Sequence, residues 1–383
     1  MLGKNKTLGI LGGGQLGKMV LDVSNRWGLK VYVLDSNIEC PSSKLCSKFF
    51  VGDLMDFDTV VQFGQNVDLI TIEIENVNVE ALKFLESKGK KVFPQPRVIE
   101  IIQDKSKQKE FYIDNEIPTS SFRSCNGIEE LKSLISKGEI SYPFIWKASK
   151  MGYDGYGVNK ISDNKSLEKL SDCHCIVEEL ISIKKELSVM VGLRESGEIL
   201  NYPVVEMEFN KDSNQVEYIL SPAQISQELK IKAEKLACNI AEKFKICGII
   251  AVEMFLTNQD EILVNEVAPR PHNSYHFSIE GSYTSQFEQF LRAILDLPLG
   301  STKILQNSVM VNLVGEKNSN GIVEYKNFDQ IIGIEGVNPH IYGKLETKPN
   351  RKMGHITIIN EDIEIAKTIA KEIKETIIIT TRK

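Results

Sequence analysis

The chain has no excess of basic charge. Its 383 residues carry 46 Lys and Arg against 52 Asp and Glu, a net charge of −6. Such a balance leaves no footprint for nucleic acid, so a small anion would need a local basic pocket. Cysteine is sparse and odd in number, seven in all, without the paired spacing of a disulfide scaffold. Cys173-His174-Cys175 is too compressed for a zinc site and has no partner pair. The thiols read as reduced cysteines of a cytoplasmic protein. No apolar run reaches the ~18 residues of a membrane span. The chain enters an apolar strand at Thr7–Leu11 with no signal-peptide core, which again predicts a cytoplasmic protein with no membrane partner.

What is present is ordinary for a globular chain, 42% hydrophobic and 26% charged, and long enough for two to three domains. Its most informative stretch is Gly248–His276. Ile249–Phe255 and Ile262–Val267 read as strands joined by a polar turn at Thr257–Asp260. Each strand holds one acid, Glu253 and Glu266. A carboxylate inside an apolar strand is costly unless paired. On neighbouring antiparallel strands the two can share a hard cation such as Mg²⁺, which takes one or two carboxylates plus substrate phosphates. The plainer reading is two outward-facing acids on half-exposed strands. The next loop weighs against it, since Arg270, His272, Asn273, Ser274 and His276 crowd donors beside the second acid.

Residues 1–100 alternate strand and helix. Strands are predicted at Thr7–Leu11, Lys30–Leu34, Phe49–Val51 and Leu69–Ile72, with helices at Gln15–Trp27, Phe57–Phe63 and Val79–Lys88. Such alternation implies a parallel sheet covered on both faces. Gly12–Gly17 satisfies G-x-G-x-x-G between the first strand and its helix, and Asp35 stands 18 residues past Gly17. Glycines there let a phosphate approach the amides of a helix N-terminus, but they do not say whose phosphate. A tight packing turn uses the same residues. Glu75 and Asn76 end the strand region Ile72–Val77, where ligands of open α/β sheets gather.

Gln103–Tyr112 is predicted as one lysine-rich helix. Pro143–Lys147 reads as a strand ending on Lys147 and feeding Gly152-Tyr153-Asp154-Gly155-Tyr156-Gly157. Three glycines in six residues can fold their amides over phosphates. No G-K-[ST] follows, so this is not a Walker loop. Leu229–Phe244 has apolar residues at helical spacing and reads as a packing helix. Further on, Ser285–Leu295 is a helix, Val309–Val314 and Ile356–Ile359 are strands, and Glu361–Ile373 is a last helix.

Glu253, Asn265-Glu266 and Ala268–Ser274 resemble the ATP-grasp carboxylate–amine ligases. Among these the match is to the 5-(carboxyamino)imidazole ribonucleotide synthase family, biotin-independent carboxylases of purine synthesis. Further matches follow in order along the chain: Gly12–Gly17, Glu75-Asn76, Asp104-Lys105 with Gln108-Lys109, Gly152–Gly157, Ile176–Ile181, His340–Lys344 and Arg351–His355. The resemblance implies an α/β ATP-grasp fold. Residues 1–102 would form a Rossmann-like domain holding the substrate phosphate. Residues 103–300 would form the ATP-grasp domain with a lid at 117–182, and 301–383 a small C-terminal domain.

It also implies roles. ATP would be held by Lys105, Lys147, Gly152, Tyr153, Asp154, Gly155, Tyr156, Gly157, Val158, Glu178, Glu179, Leu180, Ile181, Glu186, Asn265 and Glu266. Mg²⁺, or Mn²⁺ in its place, would sit on Glu253 and Glu266. 5-Aminoimidazole ribonucleotide would lie among Gly13, Gly14, Gln15, Leu16, Glu75, Asn76, Tyr153, Asp154, Arg270 and Ser274. Arg270, His272, Asn273, Lys344, Arg351 and Asp154 would serve the carboxylation. The substrates would be ATP, bicarbonate and the imidazole nucleotide, the protein a homodimer, and no biotin would be needed. Three residues depart from the family pattern: Ile74 for a Phe, Lys105 for an Arg that loses the bidentate fork, and Phe209 for a His. Rival readings are another ATP-grasp ligase, such as a formate-dependent glycinamide ribonucleotide transformylase, an NAD-dependent oxidoreductase using Gly12–Gly17, and a nucleotide sensor without catalysis.

Overall fold

The computed structural model describes residues 6–150, 157–210 and 215–382. Five parallel strands come first: β1 (Thr7–Leu11), β2 (Lys30–Asp35), β3 (Lys48–Val51), β4 (Leu69–Ile72) and β5 (Lys91–Val92), in the order β3-β2-β1-β4-β5. Helices α1 (Gln15–Arg26), α2 (Phe57–Gln65) and α3 (Val79–Ser87) make the crossovers. Asp56 and Asn78 start α2 and α3 by accepting amide hydrogens from Thr59 and Ala81, as N-cap residues do. β1 is buried along its whole length, which is why it lacks alternation. Strand order reverses between β1 and β4. The Gly12–Gly17 turn and the Glu73–Glu75 segment therefore meet at one crevice.

The predicted helix over Gln103–Tyr112 is α5 (Lys105–Asp114), two residues further along, and it is separated from a preceding α4 (Pro96–Ile102). The break is chemical. The Asp104 side chain accepts the Ser106 and Lys107 amides and so caps a new helix. A four-stranded antiparallel sheet follows, built from β6 (Phe122–Cys125), β7 (Phe144–Ala148), β8 (Val158–Ile161) and β9 (Cys175–Glu179) in the order β6-β9-β7-β8, with α6 (Ile128–Ser136) and α7 (Asn164–Leu167) between them.

The central strands are β10 (Ile183–Leu193), β11 (Ile199–Asn201), β12 (Val205–Phe209) and β13 (Val216–Ser221), then, after α8 (Gln227–Phe244), β14 (Gly248–Thr257) and β15 (Ile262–Ala268). Side chains of β10 and β14 alternate between two cores. Val189, Val191, Ile250, Val252 and Met254 pack with α8. Met190, Ile249 and Ala251 pack with Phe287, Phe290 and Ile294. Burial on both faces at roughly 1.5–3 kcal/mol per large aliphatic side chain makes these strands the rigid floor of the molecule.

Short α9 (Ser278–Gly281) and α10 (Gln286–Ile294) lead to β16 (Asn307–Val314), β17 (Gly321–Lys326), β18 (Val337–Ile341), β19 (Glu346–Thr347), β20 (Lys352–Asn360), α11 (Ile363–Thr376) and β21 (Ile378–Thr381). β16, β20 and β18 extend the central sheet, whose order is β15-β14-β10-β12-β13-β16-β20-β18, while β19, β17 and β21 form a small sheet of their own. β16 pairs directly with β13, because an open sheet edge is satisfied by another strand. The Lys18 ammonium donates to the Ile341 carbonyl at 2.6 Å, and Lys344 to Gln15 Oε1 at 2.6 Å, tying the first helix to the C-terminal hairpin. Among the described residues no helix is long and apolar enough to cross a membrane.

Candidate active site

Glu253 on β14 lies directly opposite Glu266 on β15, in the antiparallel register expected of a shared pair. A bulge follows Glu253 in that ladder. The two carboxyls titrate apart. Burial, then the neighbouring Glu266 charge, pushes Glu253 up; the Lys105 ammonium, 2.6 Å from Glu266, holds Glu266 well down. The Glu266 side chain keeps 42% exposure, so water screens part of that attraction. On β10, burial also pushes Glu186 up, to about 7. Glu186 and Glu266 both raise the Glu253 carboxyl, so three acids from neighbouring strands share one basin.

The cations stand opposite. Lys147, ending β7, reaches Glu178 at 3.0 Å and Asn265 Oδ1 at 3.0 Å. Lys109 of α5 holds the other Glu178 oxygen at 3.1 Å and donates to Thr119 Oγ1 and Ser120 Oγ. Glu178 and Lys109 are each only 3% exposed at the side chain. Although burial raises Glu178, Lys147 and Lys109 together pull it below its ordinary value. A cleft lined by Lys105, Lys109, Lys147, Glu178 and Asn265 results, with two or more ammonium groups facing one space. Gly157 and Val158 stand at its side: the Ala148 amide donates to Gly157 O, and Val158 pairs with Lys147. Gly152, Tyr153, Asp154, Gly155 and Tyr156, expected over the phosphates, lie outside the described residues. Glu179, Leu180 and Ile181 run from the end of β9 to the start of β10. Phe209, where the family has a His, is at the last position of β12 and packs against the core.

The loop after β15 carries the remaining donors. His272 Nε2 lies 3.3 Å from Glu253 Oε1, and its Nδ1 meets Ser274 Oγ at 2.8 Å. Arg270 Nε donates to Glu75 Oε2 at 2.8 Å, joining the crevice of the first sheet to the acid pair. Two expected roles change here. Asn273 and Asn312 exchange amide hydrogen bonds, both 2.9 Å, in a buried reciprocal pair, so the Asn273 side chain anchors the loop to β16. Ser274 is 1% exposed and bonds His272 and Ser188, so it orients the histidine and is closed off from substrate.

The C-terminal hairpin brings a third correction. Arg351 donates to the Glu346 carbonyl of its own hairpin, away from the acids. Its neighbour Lys352 is, with Lys105, one of the two charges that partly offset the rise of the Glu253 carboxyl. Lys344 donates to Lys352 O and to Gln15 Oε1, so it stands between hairpin and first helix.

At the glycine turn, Glu73 fills the helix N-terminus. Its oxygens accept the amides of Gly14 at 2.6 Å and Gly17 at 2.7 Å, and burial pushes its carboxyl up against that pull. Asp35 takes the Gly13 amide at 2.7 Å. Three of the amides expected to cradle phosphate are thus held by carboxylates, leaving those of Gln15 and Leu16 as the first-turn donors outside this set. Asn76 is exposed beside them. Glu73, Lys352 and Lys109's grip on Glu178 were not singled out from sequence. Only Glu73 had a usable signal, an acid directly after a parallel strand, two residues before Glu75.

The acid pair suits a divalent cation held together with phosphate oxygens. Among the described residues no group of three or more His, Cys, Asp or Glu side chains could hold a metal alone. Two carboxylates beside several lysines is the donor set that Mg²⁺ with a polyphosphate requires.

The chain matches three family models in succession: a ribonucleotide synthetase preATP-grasp domain over residues 5–103, an ATP-grasp domain over 110–287 and a phosphoribosylaminoimidazole carboxylase C-terminal domain over 308–368. It is 37% identical to the phosphoribosylaminoimidazole carboxylase of Saccharomyces cerevisiae over 93% of its own length, but spans only 64% of that protein. It is 35% identical to the N5-carboxyaminoimidazole ribonucleotide synthase of Bacillus subtilis, covering 92% of this chain and 91% of that one. The crystal structure of the synthetase from Thermotoga maritima superimposes with a TM-score of 0.90 at 40% identity, covering 98% of this chain and all of that one. The enzyme from Aspergillus clavatus, crystallised with ADP and 5-aminoimidazole ribonucleotide, gives 0.87 at 31%, covering 97% and 98%. With the paired acids, the lysine cleft and the glycine turn in their expected order, the chain belongs to the N5-carboxyaminoimidazole ribonucleotide synthase family of ATP-grasp proteins.

Proposed function

We propose that the protein carboxylates the exocyclic amine of 5-aminoimidazole ribonucleotide with bicarbonate, converting ATP to ADP and phosphate. One observation carries the reading: the Glu253–Glu266 pair faces Lys105 and adjoins His272. In this reading residues 1–102 hold the imidazole nucleotide, 103–300 hold ATP and 301–383 close the site. Glu253 and Glu266 would hold Mg²⁺, which when bound would supply charge neutralisation for the polyphosphate. Lys147 and Lys105 set the polyphosphate in line with bicarbonate, and Glu178, which holds Lys147, leads into the Glu178–Ile181 segment expected to read adenine.

Bicarbonate oxygen attacks the γ-phosphorus, ADP leaves, and carboxyphosphate forms. The amine then attacks the carboxyl carbon of carboxyphosphate, expelling phosphate, or that of the CO₂ released from it with phosphate, and the amine proton goes to a base, the role expected of Asp154. Little covalent chemistry falls to the protein; its contribution is positioning and charge stabilisation. Arg270, His272 and Lys352 supply the positive edge for bicarbonate and departing phosphate. Lys344 steadies the hairpin over Gln15. A cytoplasmic homodimer rests on the resemblance alone.

The test is phosphate release with each substrate omitted in turn. Rapid release should need ATP, Mg²⁺, bicarbonate and the imidazole nucleotide together, and carboxylated product should appear in step with it. Turnover with formate and glycinamide ribonucleotide in place of bicarbonate and the imidazole nucleotide would overturn the reading in favour of a transformylase.

A further inference from the structure

The geometry points to Gln286 as a positioning residue that sets His272 for the proposed carboxylation, by clamping the backbone of His272 and fixing the proton of His276. Nothing in the sequence marks this glutamine. It lies at the start of α10, 14 residues past His272, and its side chain is fully buried.

Three hydrogen bonds define its amide. Oε1 accepts the His272 N–H at 2.8 Å, and Nε2 donates to the His272 carbonyl at 2.9 Å. His272 is extended, with φ −127° and ψ 149°. Its backbone therefore presents N–H and C=O side by side, as a strand does to its neighbour, and the glutamine amide takes the neighbour's place. The remaining Nε2 hydrogen lies 2.8 Å from His276 Nδ1. The Gln286 backbone amide is itself held by Ser278 Oγ at 2.9 Å.

This set of bonds leaves no freedom of assignment. A backbone N–H can only donate and a carbonyl can only accept, so the amide cannot be flipped. The second Nε2 hydrogen must then be given to His276, whose Nδ1 must accept. His276 is consequently the neutral ring with its proton on Nε2. Burial, together with the charges of His272, Lys352, His340 and Arg270, holds it well below its ordinary value and neutral. Every hydrogen-bonding position of the glutamine amide except one oxygen lone pair is thereby used on residues 272 and 276.

The clamp matters because His272 is held at three points. Gln286 fixes its backbone, Ser274 Oγ takes Nδ1, and Nε2 is left directed at Glu253. Three such anchors specify one geometry for His272, and a displacement of about 1 Å at such a residue can cost about 10²-fold in rate. Gln286 touches neither nucleotide nor bicarbonate in this arrangement; it acts through His272. The inference rests on the role proposed above for His272.

The experiment compares the full-length protein with Gln286→Leu and His272→Ala. Gln286→Leu should lower kcat for imidazole-nucleotide-dependent ADP formation by about 10²-fold, while ADP affinity by calorimetry stays within about twofold. A kcat within twofold of the parent, or equal losses in kcat and ADP affinity, overturns the clamp. Should the variant not fold, imidazole ¹⁵N spectra of the parent protein decide, because His276 must show the Nε2–H tautomer across pH 6–8 and an Nδ1–H tautomer refutes the assignment. An unchanged kcat in His272→Ala would instead sink the catalytic role of His272 and leave the spectroscopic result standing.

Discussion

Lys109 shows how burial converts an ordinary lysine into a working group. Desolvation pulls its ammonium down to about 8, and Glu178 offsets only part of that effect. An unfolded lysine titrates near 10.4. Between about 8 and 10.4 the folded state therefore binds fewer protons than the unfolded one, so this group favours folding more as pH rises through that window. Function runs the other way, since the Lys109 positive charge beside Glu178 is lost over the same range. We predict that ADP affinity falls by up to about tenfold, or about 1.4 kcal/mol, between pH 7 and pH 9. Lys109→Met should show a flat profile, because the titrating ammonium is gone. Calorimetric titrations of both proteins at the two pH values check this, and a parallel fall in both would remove Lys109 as the cause.

Elements decide which of two adjacent basic residues serves the site. Arg351 precedes β20 and bends back onto the Glu346 carbonyl, whereas Lys352 opens the strand and its charge acts on Glu253. Lys352→Met should reduce turnover by at least about 10²-fold, and Arg351→Met by less than about threefold. Equal losses in steady-state assays would return Arg351 to the site. The sequence could not separate these two, because the choice depends on where β20 begins. Most other elements were legible. β1, β4 and α8 were predicted within two residues of their observed ends, since burial and helical spacing write themselves into short windows. The acid pair and Lys147 were legible for the same reason, each lying on a strand with clear flanks. Glu73, Gln286 and Asn312 were not, because each acts on residues 14 to 59 positions away and looks locally like any polar side chain. The helix predicted at Gln103–Tyr112 starts two residues later, at Lys105, because Asp104 caps it, a local signal read as part of a motif.

At the scale of the whole molecule, the choice between a dinucleotide and a single phosphate at Gly12–Gly17 turns on what else meets the crevice. A dehydrogenase would direct Asp35 at a ribose. Here both Asp35 oxygens are used within the chain, on the Gly13 and Asn37 amides. The same crevice receives Arg270 from the central sheet and Lys344 from the C-terminal hairpin, so three parts of the chain converge on it. Such convergence suits a small anionic substrate held next to the acid pair and leaves an extended dinucleotide unexplained. Gly14 is the position that tests it. A Cβ there would stand 2.5 Å from Glu73 Oε1, so any larger residue must displace that carboxylate from the helix N-terminus. The nucleotide cleft of Lys105, Lys147 and Glu178 is built from other elements and should not feel the change. Gly14→Val should therefore raise the KM for the imidazole nucleotide by at least about tenfold while leaving ADP affinity within about twofold, a cost of about 1.4 kcal/mol placed on one substrate only. Steady-state kinetics with each substrate varied, alongside ADP calorimetry, measures both. Tight NAD binding that competes with the imidazole nucleotide, or a loss confined to ATP, would place a different ligand in the crevice and break the link between the glycine turn and the acid pair.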